Sequence, residues 1–390
     1  MRRTALIALC LLASACGSGD STPDGPPIPP DANTALGGPV VVDVNAPPPT
    51  MLSAYRLFLW DPGTGFSFND RVVPYELNTA LFSDYALKQR AIYVPPGTTA
   101  TFVNEDAFEL PIGGVAIKNF YFPADLRSPK QNLQLIETRL MVRRADGLHA
   151  LPYIWTADQR DAVLTPAGEV RAISFIDTAG TLQTSNYLIP ERNQCASCHG
   201  RQASATAPVE TILVGLKARH LNRITDYGVI GKHNEIAHLT ELGMLSGAPD
   251  PTTLSAAFDF RPIEAGGVAA MSAADIDVAA RSYLDINCAH CHNPNAIQGI
   301  TSQLFLNHDN NDGFHLGVCK RPGSAGTGTG GFRFDIVPGS PDTSILYFRT
   351  HTVEVGAIMP LLGRSITHTR GTELLHAWIA GLPADDCAAK

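Results

Sequence analysis

The sequence predicts a multidomain α+β chain in which an N-terminal antiparallel β-rich domain precedes two mainly α-helical domains. Three observations support this fold class. Short runs with a period of two fill residues 51–185, apolar residues at helical spacing recur after residue 185, and each helical domain contains one Cys-x-x-Cys-His pentad. A period of two is typical of half-buried strands, and recurrence every three to four residues is typical of amphipathic helices.

Residues 1–15 predict a secretory signal peptide, because two arginines precede an apolar run and a patch of small residues. The run is too short to cross a bilayer, which needs about 20 residues. The ASAC sequence ending at Cys16 resembles the lipobox of bacterial lipoproteins, which implies cleavage before Cys16 and lipid attachment to it. Gly17 after this cysteine then implies sorting to the outer membrane. Plain cleavage and release into the periplasm is the alternative.

Residues 16–50 predict a lipid-anchored tether. From residue 17 onward this segment contains nine prolines and five glycines, and its only charged residues are four aspartates. Such a composition lacks the apolar content for a core, so we expect an extended, unfolded linker.

Residues 51–185 predict the β-rich domain. In one run, Ile136, Thr138, Leu140 and Val142 alternate with Glu137, Arg139, Met141 and Arg143, which indicates a half-buried strand. Similar short runs are separated by Pro, Gly and Asp turn signals. Lys118, Glu137 and Arg139 are interpreted as a solvated or ion-paired face of this sheet rather than as catalytic groups.

Two pentads carry the chemistry. The first pentad is CASCH, residues 195–199, and the second pentad is CAHCH, residues 288–292. A four-cysteine zinc site usually separates its pairs by about 15–20 residues, whereas Cys198 and Cys288 are 90 apart. A thioredoxin-like redox site needs one pair and leaves the histidines unexplained.

Covalent haem accounts for every position of the pentads. Two sulfurs bond the porphyrin vinyl groups, and the next residue presents imidazole to iron. The sequence therefore predicts two c-type haems, one in a first haem domain (186–265) and one in a second (266–390). The haem-binding residues are Cys195, Cys198, His199, Cys288, Cys291 and His292, with His199 and His292 as iron ligands. His290 is interpreted as a filler of the motif.

The second haem domain predicts its sixth ligand. Residues 272–287 form a helical pattern capped by Ser272, and Met359 precedes a proline before another helical pattern that contains Leu374 and Trp378. This order is that of class I cytochromes c, so Met359 is the expected distal ligand. For the first haem, Met244 follows a predicted helix that ends at Gly243. The alternatives are His220, His233, His238, or an open iron.

Two cysteines remain after the pentads, the signal peptide and the lipid candidate are set aside. In an oxidising compartment, Cys319 and Cys387 predict a disulfide, and two buried free thiols are the alternative.

The combination of VPYELNTALFSDYALKQR, LPIGGVAIKNF, IPERNQCASCHG, ARSYLDINCAHCHNP and IMPLLGRS resembles a bacterial family of exported dihaem c-type cytochromes of uncharacterised role. The resemblance covers residues 70–387. It implies a β-rich leading domain followed by two haem domains, and haem attachment at the six pentad residues named above.

Two functions follow as hypotheses. The first is electron transfer between periplasmic or extracellular redox proteins through two covalently bound haems, in a protein tethered to the outer membrane by lipid alone. The alternative is a dihaem enzyme of the peroxidase kind with an open coordination site at the first haem. A net charge of −8, without a Lys or Arg cluster, argues against nucleic acid as a partner.

Overall fold

A six-stranded antiparallel sheet forms the centre of the N-terminal half. The computed structural model of the protein describes residues 36–299 and 303–387. The strands of this sheet are β3 (Val72–Tyr75), β4 (Leu87–Tyr93), β6 (Val115–Phe122), β7 (Gln134–Arg144), β8 (Gly147–Trp155) and β9 (Ala162–Leu164). They lie side by side in that order, and we call them the central sheet.

Other strands pair with one another outside the central sheet. Two antiparallel hairpins are formed by β1 (Phe58–Asp61) with β2 (Gly65–Phe68) and by β10 (Glu169–Ile176) with β11 (Leu182–Ile189). Two smaller antiparallel pairs are β12 (Gly200–Arg201) with β13 (Glu210–Thr211) and β14 (Ile224–Asp226) with β15 (Lys232–Asn234). The strands β5 (Ala100–Thr101) and β16 (Leu245–Ser246) pair in parallel.

Both faces of the central sheet are covered. On β7, Leu140 and Val142 are 0% and 1% exposed and pack in the cluster that contains the β1–β2 hairpin. On the opposite face, Met141 is 7% exposed and packs in a second cluster with residues from beyond the first pentad. Successive side chains of β7 point to opposite faces, as predicted. The strand is nevertheless buried on both faces, because residues from beyond the first pentad cover the second face.

The helices are mostly one or two turns long. They are α1 (Cys195–His199), α2 (Ala218–Leu221), α3 (Glu235–Glu241), α4 (Arg261–Gly266), α5 (Ala273–Asn287), α6 (Gly313–Leu316), α7 (Ile345–His351) and α8 (Thr369–Gly381). Helix α5 begins where predicted, since the Ser272 hydroxyl accepts a hydrogen bond of 3.1 Å from the Asp275 amide. Short 3-10 turns occur at Leu52–Tyr55, Arg192–Gln194, Gly228–Ile230, Pro251–Thr253, Gly326–Thr329 and Pro341–Thr343.

The predicted fold class is wrong for the C-terminal half, which is not a pair of mainly α-helical cytochrome c-type domains. The chain is β-rich and its strands form several sheets. Only α5 and α8 exceed seven residues within 36–299 and 303–387. Turn residues break the other helical patterns: α3 is followed by Gly243, whose φ of 63° is a left-handed conformation that ends a helix.

The region predicted as the first haem domain does not have a separate core. Its apolar residues Leu216, Ile236 and Met244 belong to the same buried cluster as Val73 and Ala116 of the central sheet. The parallel pairing of β5 with β16 adds backbone hydrogen bonds between the two regions. Apolar periodicity alone could not reveal this, because it marks a buried face without naming the element that covers it.

The C-terminal region is built on α5 packed against α8. Leu284 and Ala280 of α5 lie in one buried cluster with Leu374 and Trp378 of α8. Cys319 and Cys387 are joined by a disulfide, which ties the end of the chain to the loop after α6. Within the described residues, we find no helix that combines the length and the apolarity needed to span a membrane.

The predicted tether does not extend to residue 50. Its described part, residues 36–50, lies along the β-rich region: the Arg144 guanidinium donates to the carbonyl oxygens of Val44 and Ala46, and the Tyr153 hydroxyl donates to that of Pro49. Val40 and Val42 pack against the core beneath. The valines supply the apolar contact that a linker composition was expected to lack. Cys16 lies outside the described residues.

Candidate functional site

The two pentads lie side by side. The Cys291 thiol donates a hydrogen bond of 3.0 Å to the carbonyl oxygen of Ser197, inside the first pentad. Ligand atoms of Cys198, His290 and Cys291 all lie within 4.8 Å of one another. Residues 92–94 positions apart in the chain are therefore brought into one site.

The segments that follow the pentads hold them together. Arg201 forms an antiparallel bridge with Ala296, and the Gln202 amide donates 2.9 Å to the carbonyl oxygen of Asn295. Gly200 is required at this crossing, because a Cβ there would lie 2.4 Å from Ile297 Cδ1 and from the Ala196 carbonyl oxygen. The missing side chain of Gly200 therefore allows the segments that follow the two pentads to approach closely.

His199 is oriented as a metal ligand. Its Nδ1 lies 2.8 Å from the carbonyl oxygen of Ile212, and since a carbonyl only accepts, Nδ1 carries the hydrogen and Nε2 keeps its lone pair. Burial lowers the pKa of His199 to about 4, so the imidazole is neutral at neutral pH. An outer hydrogen bond of this kind fixes the tautomer of metal-bound histidines.

The first cavity lies between the first pentad and the central sheet. Cys195, Cys198 and His199 line it from the pentad side, and Arg90, Lys118, Arg139 and Met141 line it from the sheet. Its volume is about 160 Å³, below the roughly 300–1,000 Å³ of most ligand pockets. The first pentad therefore fits a porphyrin by its donor atoms, and the cavity must widen to admit one.

Basic side chains line the sheet wall of the first cavity. Arg139 forms a 2.5 Å ion pair with Glu137, whose side chain is fully buried and also accepts from the Tyr187 hydroxyl at 2.8 Å. Arg90 has a buried Nη2 that has no hydrogen-bond partner among the described residues, and burial lowers the pKa of Lys118 well below its usual range, which favours its neutral form. The predicted ion pairing is present between Glu137 and Arg139, and the Arg90 guanidinium suits a carboxylate-bearing ligand.

The second cavity collects the residues that the sequence assigned to the second haem. Cys288, Cys291, His292 and Met359 all line it, and its volume is about 640 Å³, within the range of small-molecule and cofactor pockets. The Met359 amide donates 2.8 Å to the carbonyl oxygen of Arg349, which also faces the cavity. Donor set and volume both fit a porphyrin here.

A shared wall separates the two cavities. It is formed by five residues that face both of them, Gln194, Cys198, His290, Pro360 and Leu362. His290, interpreted from the sequence as a filler of the motif, therefore lines both cavities.

The ligands proposed for the first haem lie elsewhere. Met244 is 1% exposed in the core, where its carbonyl oxygen accepts from the Ala100 amide at 2.8 Å. His220 is fully buried, with Nε2 3.2 Å from the Asp285 carboxylate. His233 and His238 lie together at α3. None of the four lines either of the cavities described above.

Met141 is the sulfur donor that the sequence did not single out. It precedes the first pentad by 54 residues, whereas the predicted methionine ligands Met244 and Met359 both follow that pentad. The alternation on β7 already placed Met141 on the same face as Arg139. The first pentad covers this face through a long-range contact, which no pattern of neighbouring residues in the sequence predicts.

The pentads also offer a rival metal site. Hydrogen bonding with Cys291 and with His290 lowers the pKa of Cys198, which favours its thiolate. Two cysteine sulfurs and one imidazole are ligands that Zn²⁺ takes in proteins. The long sequence separation that argued against zinc does not prevent these three side chains from meeting.

Comparisons with protein-family models, with curated proteins and with solved structures found no match for this chain. The site must therefore be interpreted from its own donor atoms.

Proposed function

We propose that this chain is an exported dihaem c-type cytochrome that transfers electrons between periplasmic or extracellular redox partners. The observation that carries the proposal is the lining of the second cavity, which has a volume of about 640 Å³. The two thiols and the imidazole of the second pentad, which have the sequence spacing of a c-type haem motif, line this cavity together with the Met359 thioether. The orientation of His199 toward the first cavity supports the same chemistry at the first pentad.

Four sulfurs and two imidazoles would hold the two haems. Cys195 and Cys198 would bond one porphyrin and Cys288 and Cys291 the other, with His199 and His292 as proximal iron ligands. When bound, each haem supplies a one-electron redox couple whose potential depends on axial ligand, burial and hydrogen bonding. Thioether linkage suits repeated redox cycling because the cofactor cannot dissociate.

The chain offers a thioether to each iron. Met359 shares the second cavity with His292, and Met141 shares the first cavity with His199. We therefore assign Met141, in place of Met244, as the sixth ligand at the first pentad. Methionine raises the potential relative to a second histidine. The peroxidase-like alternative needs Met141 to stay unbound, and a high-spin ferric signal from one haem would favour it.

Cofactor content is tested by expressing the protein together with the c-type maturation machinery. The mature polypeptide should keep a covalent pigment on a denaturing gel, and its intact mass should exceed that of the polypeptide by two haems. A Cys195→Ser/Cys198→Ser variant and a Cys288→Ser/Cys291→Ser variant should each lose one haem. An unmodified mass, with one zinc ion bound through Cys198, His290 and Cys291, would replace the haem proposal by the rival metal site.

The proposed location is the periplasm, with a lipid anchor in the outer membrane at Cys16. Under this proposal Cys16→Ser should move the protein from the membrane fraction to the soluble periplasmic fraction. Continued membrane association of the variant would show that something other than the lipid holds it.

A further inference from the structure

A second cluster of ligating side chains lies at α3, among residues that line neither cavity. His233 is on β15, directly before the Asn234 cap of the helix, and His238 and Glu241 are three residues apart within α3. Residues at this spacing project from the same helix face. One ligand atom from each of the three side chains lies within 4.8 Å of the others.

His233 is held with one ring nitrogen free for a metal. Its Nε2 lies 3.2 Å from the carbonyl oxygen of Ile230, so Nε2 is the donor. Its Nδ1 faces the Glu241 carboxylate at 3.5 Å. The hydrogen bond from Nε2 to the Ile230 carbonyl is of the outer-shell kind that orients metal-bound histidines. The hairpin between β14 and β15 positions this carbonyl.

His238 provides a second imidazole from a rigid position. It is 4% exposed, its ring lies 5.3 Å from that of His233, and the Tyr227 ring packs against it at 4.2 Å. The Glu241 side chain, by contrast, is 60% exposed, so the cluster opens to solvent.

We propose that His233, His238 and Glu241 form a binding site for a divalent transition-metal ion, with Zn²⁺ as the best-suited ion. Two imidazole nitrogens and one carboxylate oxygen are the ligand set of open tetrahedral zinc sites, in which the fourth position is left to water or substrate. The ion would balance the charge of the Glu241 carboxylate. The site does not depend on the haem proposal.

The test is zinc binding by the mature protein as purified, whatever its haem content, measured by calorimetry and by elemental analysis after dialysis. We expect one zinc ion per chain, and His233→Ala and Glu241→Ala should each lower the affinity by more than the roughly 10–100-fold that loss of an outer-shell partner costs. Both side chains are partly exposed, so these variants should fold, which thermal melting checks.

His315→Ala is the matched control. His315 Nδ1 lies 2.7 Å from the Asp312 carboxylate with similar exposure, but among the described residues this pair belongs to no group of three metal-ligating side chains. Zinc affinity should be unchanged in this variant. Absence of zinc binding in the parent protein, or binding that is lost with Cys198→Ser but kept in His233→Ala, would overturn the proposal. The second outcome would move the metal to the pentads.

Discussion

The Cys291 sulfur lies 3.0 Å from the carbonyl oxygen of Ser197, so the second pentad touches the first within the motif itself. The Cys198 and Cys291 sulfurs also lie within 4.8 Å of each other. Under the proposed function, each of these sulfurs would carry one porphyrin. The attachment points of the two cofactors would then be adjacent, which provides a short path for electron exchange between them.

The first prediction concerns Met141. In the haem-loaded protein, Met141→Ala should remove the sulfur-to-iron absorption of the first haem and lower its potential, because the thioether on the sheet wall of the first cavity is lost. Met244→Ala is the control: it should keep both sulfur-to-iron bands and cost about 2–5 kcal/mol of unfolding free energy, as truncation of a core methionine does. A normal spectrum for Met141→Ala would reject this ligand.

The second prediction concerns Met359. Met359→Ala should remove the sulfur-to-iron absorption of the second haem, and combining it with Met141→Ala should remove that absorption entirely. Met271→Ala is the matched control, since Met271 packs at the edge of the core formed by α5 and α8 without lining the second cavity. Absorption spectra and potentiometric titration check both variants. Residual absorption in the double variant would point to a third sulfur.

The third prediction is a pH dependence of stability that arises at Glu235. Burial raises the pKa of this carboxyl to about 8, although it accepts hydrogen bonds from the Thr225 hydroxyl at 2.6 Å and the Glu76 amide at 2.9 Å. The folded protein therefore keeps a proton that the unfolded chain releases above about pH 4.3. Stability should fall as pH rises from about 4.3 to 8, and should then level off.

Denaturant unfolding at several pH values measures this effect. Glu235→Gln should flatten the slope, so that its unfolding free energy relative to the parent protein improves toward pH 8. Glu210→Gln is the control, because the Glu210 side chain is 55% exposed and pairs with Arg201 at the surface. Equal slopes for the parent and Glu235→Gln would show that Glu235 ionises freely in the folded protein.

The fourth prediction concerns the disulfide between Cys319 and Cys387, which closes a sequence separation of 68 residues. Cys319→Ser/Cys387→Ser should lower the unfolding free energy by about 2–5 kcal/mol. A reductant should destabilise the parent protein by a similar amount and leave the variant unchanged. Equal melting temperatures with and without reductant, in the parent protein, would contradict a stabilising role.

The sequence predicted what depends on neighbours along the chain. The Ser272 cap of α5 and a strand at β7 are present in the structure because both are set by contacts within one element, although β7 is buried on both faces and not half-buried as predicted. The second cavity brings His292 together with Met359, as the motif order indicated.

Long-range packing accounts for the predictions that failed. The helical second half was wrong because short apolar patterns around Ile236 cover the central sheet instead of forming bundles. The helix end before Met244 predicts a ligand, whereas the Met244 side chain is buried in the core and lines neither cavity. The sequence does not single out Met141, because a strand pattern identifies a face but not its covering segment.

The shared wall has a consequence for any attempt to redesign the site. Since Cys198, His290 and Leu362 face both cavities, neither compartment can be reshaped independently at these positions. A substitution chosen to enlarge one cavity would alter the shape of the other cavity as well. Under the proposed function, redesign of one haem site therefore has to begin at residues that line a single cavity, such as Met141 in the first cavity and Met359 in the second.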